Sequence, residues 1–453
     1  MDTKIIIQSS FGELPFLGSL HMTDSDGVPH AVGMKFDFSN LWSLTKDIKS
    51  TAFDFLLLSH IVYCVDRFIS RSLFSDDGWH RDIAVNDIPI LNLSSFVTAK
   101  TKIESAISFL TGDTWHFNFV QALPIEYEDT NAKKYNVSNF SKVCLFSGGL
   151  DSLIGFVDEA ATLEKDKKIL LISHKELGKE GGDQKRILNV CRQNGFYQDK
   201  YEQALLSSGL KSNSWVNKLS TENTFRSRSL LFIATGIYCA NAIDSDIPLI
   251  IPENGTISLN IPLEKGRRGA CSTRTTHPSF LKRISEALVL LGIRNSLHNP
   301  YQCLSKADMM TNAFKDPEKK RKLEVISHLS CSCAKRSHNR WWDKRGGKVR
   351  HCGYCLPCIY RRVALDAVGM DDFKYIGTDI YRSSLFQIDN YKQARSSDIR
   401  SLLYFLKYNC NPSYIRRELL SNGIRDSTEL EKYVALTLHS YQQVSDWINS
   451  LPR

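Results

Sequence analysis

Nowhere does this chain carry an apolar run fit to cross a bilayer. Its most apolar stretch, Phe53 to Ile69, is interrupted by Asp54, His60, Asp66 and Arg67 and reads as a core helix. The opening residues, Met1-Asp2-Thr3-Lys4-Ile5-Ile6-Ile7, lack the basic head and apolar length of a secretory signal. A paired-cysteine framework is missing as well: of 12 cysteines, seven are scattered singly and five fall between Cys331 and Cys358. Without a signal sequence, such clustering favours a metal site in a reducing cytoplasm over disulfides. Nor is there a large excess of one charge. A net +9 over 453 residues is a mild bias towards anionic partners such as nucleotides, RNA or an acidic protein. With 42% hydrophobic and 24% charged residues, the composition excludes disordered and fibrous classes, and the length allows two or three domains.

What the chain does have is Ser147-Gly148-Gly149-Leu150-Asp151-Ser152. It follows the apolar run Val143-Cys144-Leu145-Phe146, which reads as a buried strand. It precedes Leu153-Ile154-Gly155-Phe156-Val157, which opens a helical pattern. Strand, glycine turn and helix make a phosphate cradle. Glycines allow successive N–H groups to face one concavity, and the helix start adds unpaired donors and partial positive charge. Ser147 and Ser152 can donate hydroxyl bonds to phosphate oxygens. Asp151 would repel a naked phosphate, which points to a magnesium ion alongside. No Gly-Lys-Ser/Thr follows, so this is not a Walker A loop.

Residues 1–140 read as a separate α+β accessory domain without a catalytic motif. It has β-like runs at Lys4–Gln8 and Ala31–Phe38, a helix from about Thr51 to Arg71, and a strand at Trp79–Val85. A helix at Thr98–Leu110 and a strand at Thr114–Phe119 follow. Trp79 and Trp115 read as core aromatics, His80 and His116 as structural or surface groups. Glu126–Ser141 reads as a linker. From 141 to about 374 strands and helices alternate, which argues for an α/β fold with a doubly wound parallel sheet. Ligands of such sheets bind at the carboxyl ends of the strands. Arg226 and Arg228 at a helix start can reach an anionic ligand. Glu253, Asn254 and Arg274 lie where substrate residues belong in this architecture. His174, after the strand Lys168–Ser173, reads as polar packing. Residues 375–453 read as a helical tail, with helices at Ser397–Tyr408, Pro412–Leu420 and Ser427–Leu451.

Cys352-Gly353-Tyr354-Cys355-Leu356-Pro357-Cys358 offers three thiols at two-residue spacing, and Ser330-Cys331-Ser332-Cys333 lies upstream. Tetrahedral zinc takes four such ligands, with Cys331 or Cys333 completing the set; four protein ligands leave no open position, so the site is structural. Between them Lys335, Arg336, Arg340, Lys344, Arg345, Lys348 and Arg350 surround Trp341 and Trp342. Basic and aromatic groups together can clamp RNA or a stacked base, the alternative being a solvated loop.

The glycine turn resembles the SGGxDS signature of the PP-loop ATP pyrophosphatases. Those enzymes cut ATP between its α and β phosphates and adenylate their substrate. Together with the late cysteines, it resembles the QueC-like family of 7-cyano-7-deazaguanine synthases. Ser330-Cys331 is similar to that family's Ser-Cys at the first zinc ligand, which implies Cys331 as the partner of Cys352, Cys355 and Cys358. Cys352-Gly353, Cys355, Cys358 and Arg361 match its Cys-Gly-x-Cys-x-x-Cys-x-x-Arg. Leu304-Ser305-Lys306-Ala307-Asp308 looks like its lysine-containing segment. The resemblance covers about Lys142 to Val368.

It implies an adenine nucleotide α-hydrolase-like domain that uses ATP, Mg2+ and Zn2+. ATP would sit on Ser147, Gly148, Gly149, Leu150, Asp151 and Ser152, with Asp151 and Ser152 catalytic. The implied reaction is adenylation of the carboxylate of 7-carboxy-7-deazaguanine, attack by ammonia, and dehydration to the nitrile. The chain departs from this pattern in its longer insertion between cysteines, its first 140 residues, its tail, and Gly178–Gly182. In shape it looks like the longer QueC-like proteins of bacterial antiphage operons, the QatC type. For these the resemblance implies that the carboxylate is joined to an amine on a partner protein from the same operon. A PP-loop tRNA modifier and a non-catalytic nucleotide-binding subunit are the alternatives.

Overall fold

The computed structural model describes residues 5–11, 17–37, 41, 49–75, 77–123, 136–175, 178–264, 274–334, 351–372, 376 and 397–451. Ten strands are β1 (Ile5–Phe11), β2 (Leu17–Thr23), β3 (Pro29–Asp37), β4 (Asp82–Ile90), β5 (Thr114–Gln121), β6 (Phe140–Leu145), β7 (Lys168–Lys175), β8 (Tyr201–Leu210), β9 (Leu249–Ile250) and β10 (Leu297–His298). They form a single sheet in the order β10-β9-β6-β7-β8-β3-β2-β1-β4-β5. The fold is therefore α/β with a large, mostly parallel sheet. β10, β9, β6, β7 and β8 are all parallel. β3 pairs antiparallel with β8, β2 with β3 and with β1, while β1, β4 and β5 run parallel.

Side-chain patterns follow these surroundings. β7 is buried at Ile169 through His174, an apolar run covered on both faces as parallel sheets are. β3 alternates, with His30, Val32, Met34 and Phe36 buried. Along β6, β7 and β9 successive residues enter different cores: Val143, Leu170, Ile172 and Leu249 on one side, Cys144, Ile169, Leu171 and Ile250 on the other. The first core runs from Ile7 to Ile293, so the described part of the first 140 residues shares it. Met34↔Leu210 to Asp37↔Ser207 pairing carries the sheet across from that region into the parallel half. β8 makes this join although Glu, Gln, Ser and Gly residues blur its strand pattern.

The helix Thr51–Phe68 is core, as expected, and its charges have partners. Asp66 meets Arg81 at 2.6 Å and Ser227 Oγ at 2.6 Å. Arg81 meets Asp113 at 2.7 Å, and Arg71 meets Asp113 at 2.5 Å. Among the described residues no helix is long and apolar enough to cross a membrane. Trp115 is buried, but Trp79 is 48% exposed because it lies before β4 and not in it. Gly178–Gly182 opens the helix Gly178–Gln193.

The tail is packing structure. Its helices Ser397–Tyr404, Pro412–Ser421 and Ser427–Ser450 share the second core with the helix Leu150–Ala161. Thr256 Oγ1 donates to Ser440 Oγ at 2.7 Å, and Tyr414 donates to the Pro262 carbonyl at 2.9 Å. Gly255 leaves no room for a Cβ, which would lie 2.2 Å from the Gln302 carbonyl oxygen and 2.3 Å from Leu436. The basic tryptophan segment 335–350 and most of the linker at 126–141 lie outside the described residues.

Candidate functional site

In chain order the parallel half has the strand order 3-2-1-4-5, so the winding reverses between β6 and β9. A crevice opens there at the strands' carboxyl ends. The Ser147–Ser152 turn leaves β6 at that point, and Glu253-Asn254 leaves β9.

Gly148 takes φ +82°, which a Cβ would strain, and that Cβ would also crowd Gln184 Cγ at 3.2 Å. Ser147 Oγ accepts from the Gly149 N–H at 3.3 Å and lies 3.2 Å from Ser152 Oγ. Ser152 Oγ donates to the Gly149 carbonyl at 3.1 Å. The helix Leu150–Ala161 starts at this turn with a glycine as its N-cap, so no side chain of the turn caps it. The geometry is that of an anion cradle.

Asp151 is buried and held by protein groups. Lys306 Nζ pairs with Oδ1, and Asn254 donates to Oδ2 through Nδ2 at 2.6 Å and its backbone N–H at 3.2 Å. Burial alone would raise this carboxyl, but Lys306's charge, with hydrogen bonds from Glu253, Lys306 and Asn254, holds it down at about 2. Glu253 goes the other way: burial, then the Asp151 charge beside it, pushes it well above the usual range. The two carboxyls are thus pushed apart, Asp151 towards the charged form and Glu253 towards the neutral one. Lys306 is the first residue of the helix Lys306–Phe314. A capping box of Ser305 and Asp308 fixes it, and Gln443 and His439 of the tail bond Ser305 and Asp308 in turn.

These groups line a cavity of about 490 Å³. The turn, Glu253, Lys306 and Asp183 supply its polar end; Phe225, Phe232, Ile233 and Ile251 supply an apolar wall. Phe225 has φ +52°, rare for a bulky side chain, with the Arg67 guanidinium 4.1 Å above its ring. Arg228 lines the cavity, 5.5 Å from the Phe232 ring.

Three expected substrate residues do not face the cavity. Arg226 turns away to the Thr111 carbonyl at 2.8 Å, inside the buried cluster of Arg71, Arg81, Asp66 and Asp113. Burial, then Arg71's charge, lowers it to about 10. Arg274 donates to the Phe109 carbonyl at 2.9 Å and to Asn422 at 3.1 Å, tying the first core to the tail. Asn254 is spent on Asp151 and on capping Ile257 N–H at 3.0 Å. His174 is buried packing between Tyr63 and Phe232, and burial lowers it to about 3, so it is neutral.

The cysteine cluster consists of Cys333, Cys352, Cys355 and Cys358, whose sulfurs all lie within 4.8 Å of one another. This corrects the choice of Cys331, whose sulfur is not in the group; Cys331 and Cys333 both line the cavity. The reason is geometric: the Cys331 N–H donates to the Gly148 carbonyl at 2.8 Å, which turns its neighbour but one, Cys333, towards the knuckle. Backbone N–H groups of Cys352 and Cys355 donate to Cys333 Sγ and Cys352 Sγ at 3.4 and 3.3 Å. Hydrogen bonds from Cys333 and then from Cys355 and Cys358 hold Cys352 well below the usual thiol range. Four soft donors within reach of one ion, with N–H···S support, fit zinc.

No family model, curated protein or solved structure matches this chain.

The geometry also brings in residues that sequence reasoning left out. Lys306 was visible only through its segment; the Ser305-x-x-Asp308 capping box was a local sign that a lysine would sit at a helix start. Asp183, Phe225 and Ser332 carried no signal, since each is placed by tertiary packing.

Proposed function

We propose that the chain is a PP-loop-type ATP-dependent carbon–nitrogen ligase. It would adenylate a 7-deazaguanine carboxylate and pass it to an amine on a partner protein. One observation carries this reading. The glycine turn Ser147–Ser152, with Lys306 paired to its Asp151, lies at the switch point of a parallel sheet beside an aromatic-walled cavity.

The residues fit the groups the reading needs. The turn and Lys306 suit a polyphosphate, and the departing pyrophosphate's charge is met by first-turn amides and an ammonium. Mg2+ would enter with the nucleotide phosphates, and Glu253 and Asp151 are the hard oxygen groups on that wall. The apolar wall of Phe225 and Phe232 suits a planar base, and Arg228 lines the same cavity. In the first step a carboxylate oxygen attacks the α-phosphorus and pyrophosphate leaves. In the second the amine nitrogen attacks the acyl carbon, AMP leaves, and the amine gives up a proton. Asp151, held at about 2, is a weak base. An amine that arrives neutral serves this step best, which favours a protein α-amino terminus over lysine.

The test is incubation with ATP, Mg2+ and 7-carboxy-7-deazaguanine, with and without proteins encoded beside this one, following pyrophosphate and protein mass. Deazaguanine mass on a partner supports the reading. Free nitrile made efficiently from ammonia would replace it with the synthase activity. Nucleotide binding without pyrophosphate release under every condition would leave a binding subunit.

A further inference from the structure

The helix Leu150–Ala161 lacks a side chain at its own N-cap, Gly149. The missing cap comes from far along the chain: Ser332 Oγ accepts from the Leu150 N–H at 3.3 Å. One residue earlier, the Cys331 N–H donates to the Gly148 carbonyl at 2.8 Å. One residue later, Cys333 enters the four-cysteine cluster. Three successive residues thus grip the turn on one side and the cluster on the other. The segment is anchored behind as well: Arg361, on the helix that begins at Cys355, donates to Ser330 Oγ and to the Ser327 carbonyl, each at 2.7 Å.

We infer that the metal-loaded cluster is a clamp on the cradle, and that Ser332 is the positioning residue through which it acts. With metal bound, Cys333 is fixed, Ser332 caps the helix, and the Gly148–Leu150 backbone is held in one conformation. Without metal the tether at Cys333 is released, and the turn loses a cap supplied in trans. Nucleotide affinity then depends on metal occupancy, the cluster acting through the turn. The link from metal to nucleotide rests on the ATP-binding reading above; the link from metal to the turn does not.

The experiment uses the full chain in four forms: zinc-loaded, chelator-stripped, Ser332→Ala and Ser332→Thr. Hydrogen exchange is read on peptides spanning residues 146–153, MgATP binding by calorimetry, and zinc content by elemental analysis. Stripping and Ser332→Ala are both expected to speed exchange in the turn and to weaken MgATP binding roughly fivefold or more, about the loss of one helix cap. Ser332→Ala keeps its zinc and its melting temperature within a few degrees, and Ser332→Thr restores slow exchange. Unchanged exchange at 146–153 in Ser332→Ala overturns the clamp, whatever stripping does to the fold. Exchange that responds as expected in a protein that binds no MgATP would sink the nucleotide reading and leave the clamp standing.

Discussion

Replacing Asp151 by Asn isolates the charge at the centre of the site. The side chain keeps its shape, but Lys306 loses its counter-ion. Asp151 is 5% exposed and Lys306 4%, so water cannot fully take over the ammonium. Removing one member of a buried pair costs about 3–5 kcal/mol, because the other is left charged and unpaired. Lys306 borders the cavity, which favours the lower end, about 3 kcal/mol. Asp151→Asn/Lys306→Met removes both charges and is expected to recover at least half of that loss. Urea unfolding of parent, singles and double closes the cycle. The pH dependence follows from the lowered carboxyl. The Asp151 contribution is present above the ordinary aspartate range and is lost as pH falls through about 2. Asp151→Asn should thus separate from the parent at pH 7 and converge with it in strong acid. A single substitution within about 0.5 kcal/mol of the parent at pH 7, or two singles that simply add, would refute the buried pair.

Other expectations concern neighbouring groups. Glu253 is raised, so in the parent its contribution is full below about pH 4 and fades as pH rises. The stability of Glu253→Gln relative to the parent should therefore grow with pH, by at most about 1.4 kcal/mol per unit. Cys333→Ser should lower bound zinc below one per chain, whereas Cys331→Ser should retain it; the reverse pattern would return the ligand role to Cys331. Arg81→Met leaves Asp66 and Asp113 short of a buried partner and should cost about 3–5 kcal/mol in denaturant unfolding, against near-parent stability if the cluster is solvated. The amide-forming step, measured from preformed adenylate, should rise with pH along the amine's own titration; a plateau below about pH 6 would contradict a neutral amine nucleophile.

Much of the α/β half was legible because its signals are local. β6 and β7 are short apolar runs, Ser147–Ser152 is a turn only glycine permits, and the cysteine spacing announces a knuckle. What was not legible depends on tertiary partners. β8 was missed because half its residues are small or polar, and with it the seam that merges the first 140 residues into the sheet. Arg226, Arg274 and Asn254 sit near the right ends of the right strands. Their side chains turn to Thr111, Phe109 and Asp151, a choice made by packing that spacing cannot encode. Cys331 and Cys333 offer the same ligand two residues apart. Only the grip of Gly148 on Cys331 decides between them. Asp151 was read as a metal carboxylate, and its bonds to Lys306 and Asn254 make it first a brace across the switch point.

The most direct measurement of the central claim is pyrophosphate release by the zinc-loaded protein with MgATP, with and without 7-carboxy-7-deazaguanine. The account predicts release that depends on the carboxylate, with one AMP formed per pyrophosphate, and its loss in Lys306→Met that still folds. Release indifferent to the carboxylate, or none in a protein shown to bind ATP at the Ser147–Ser152 turn, would contradict it.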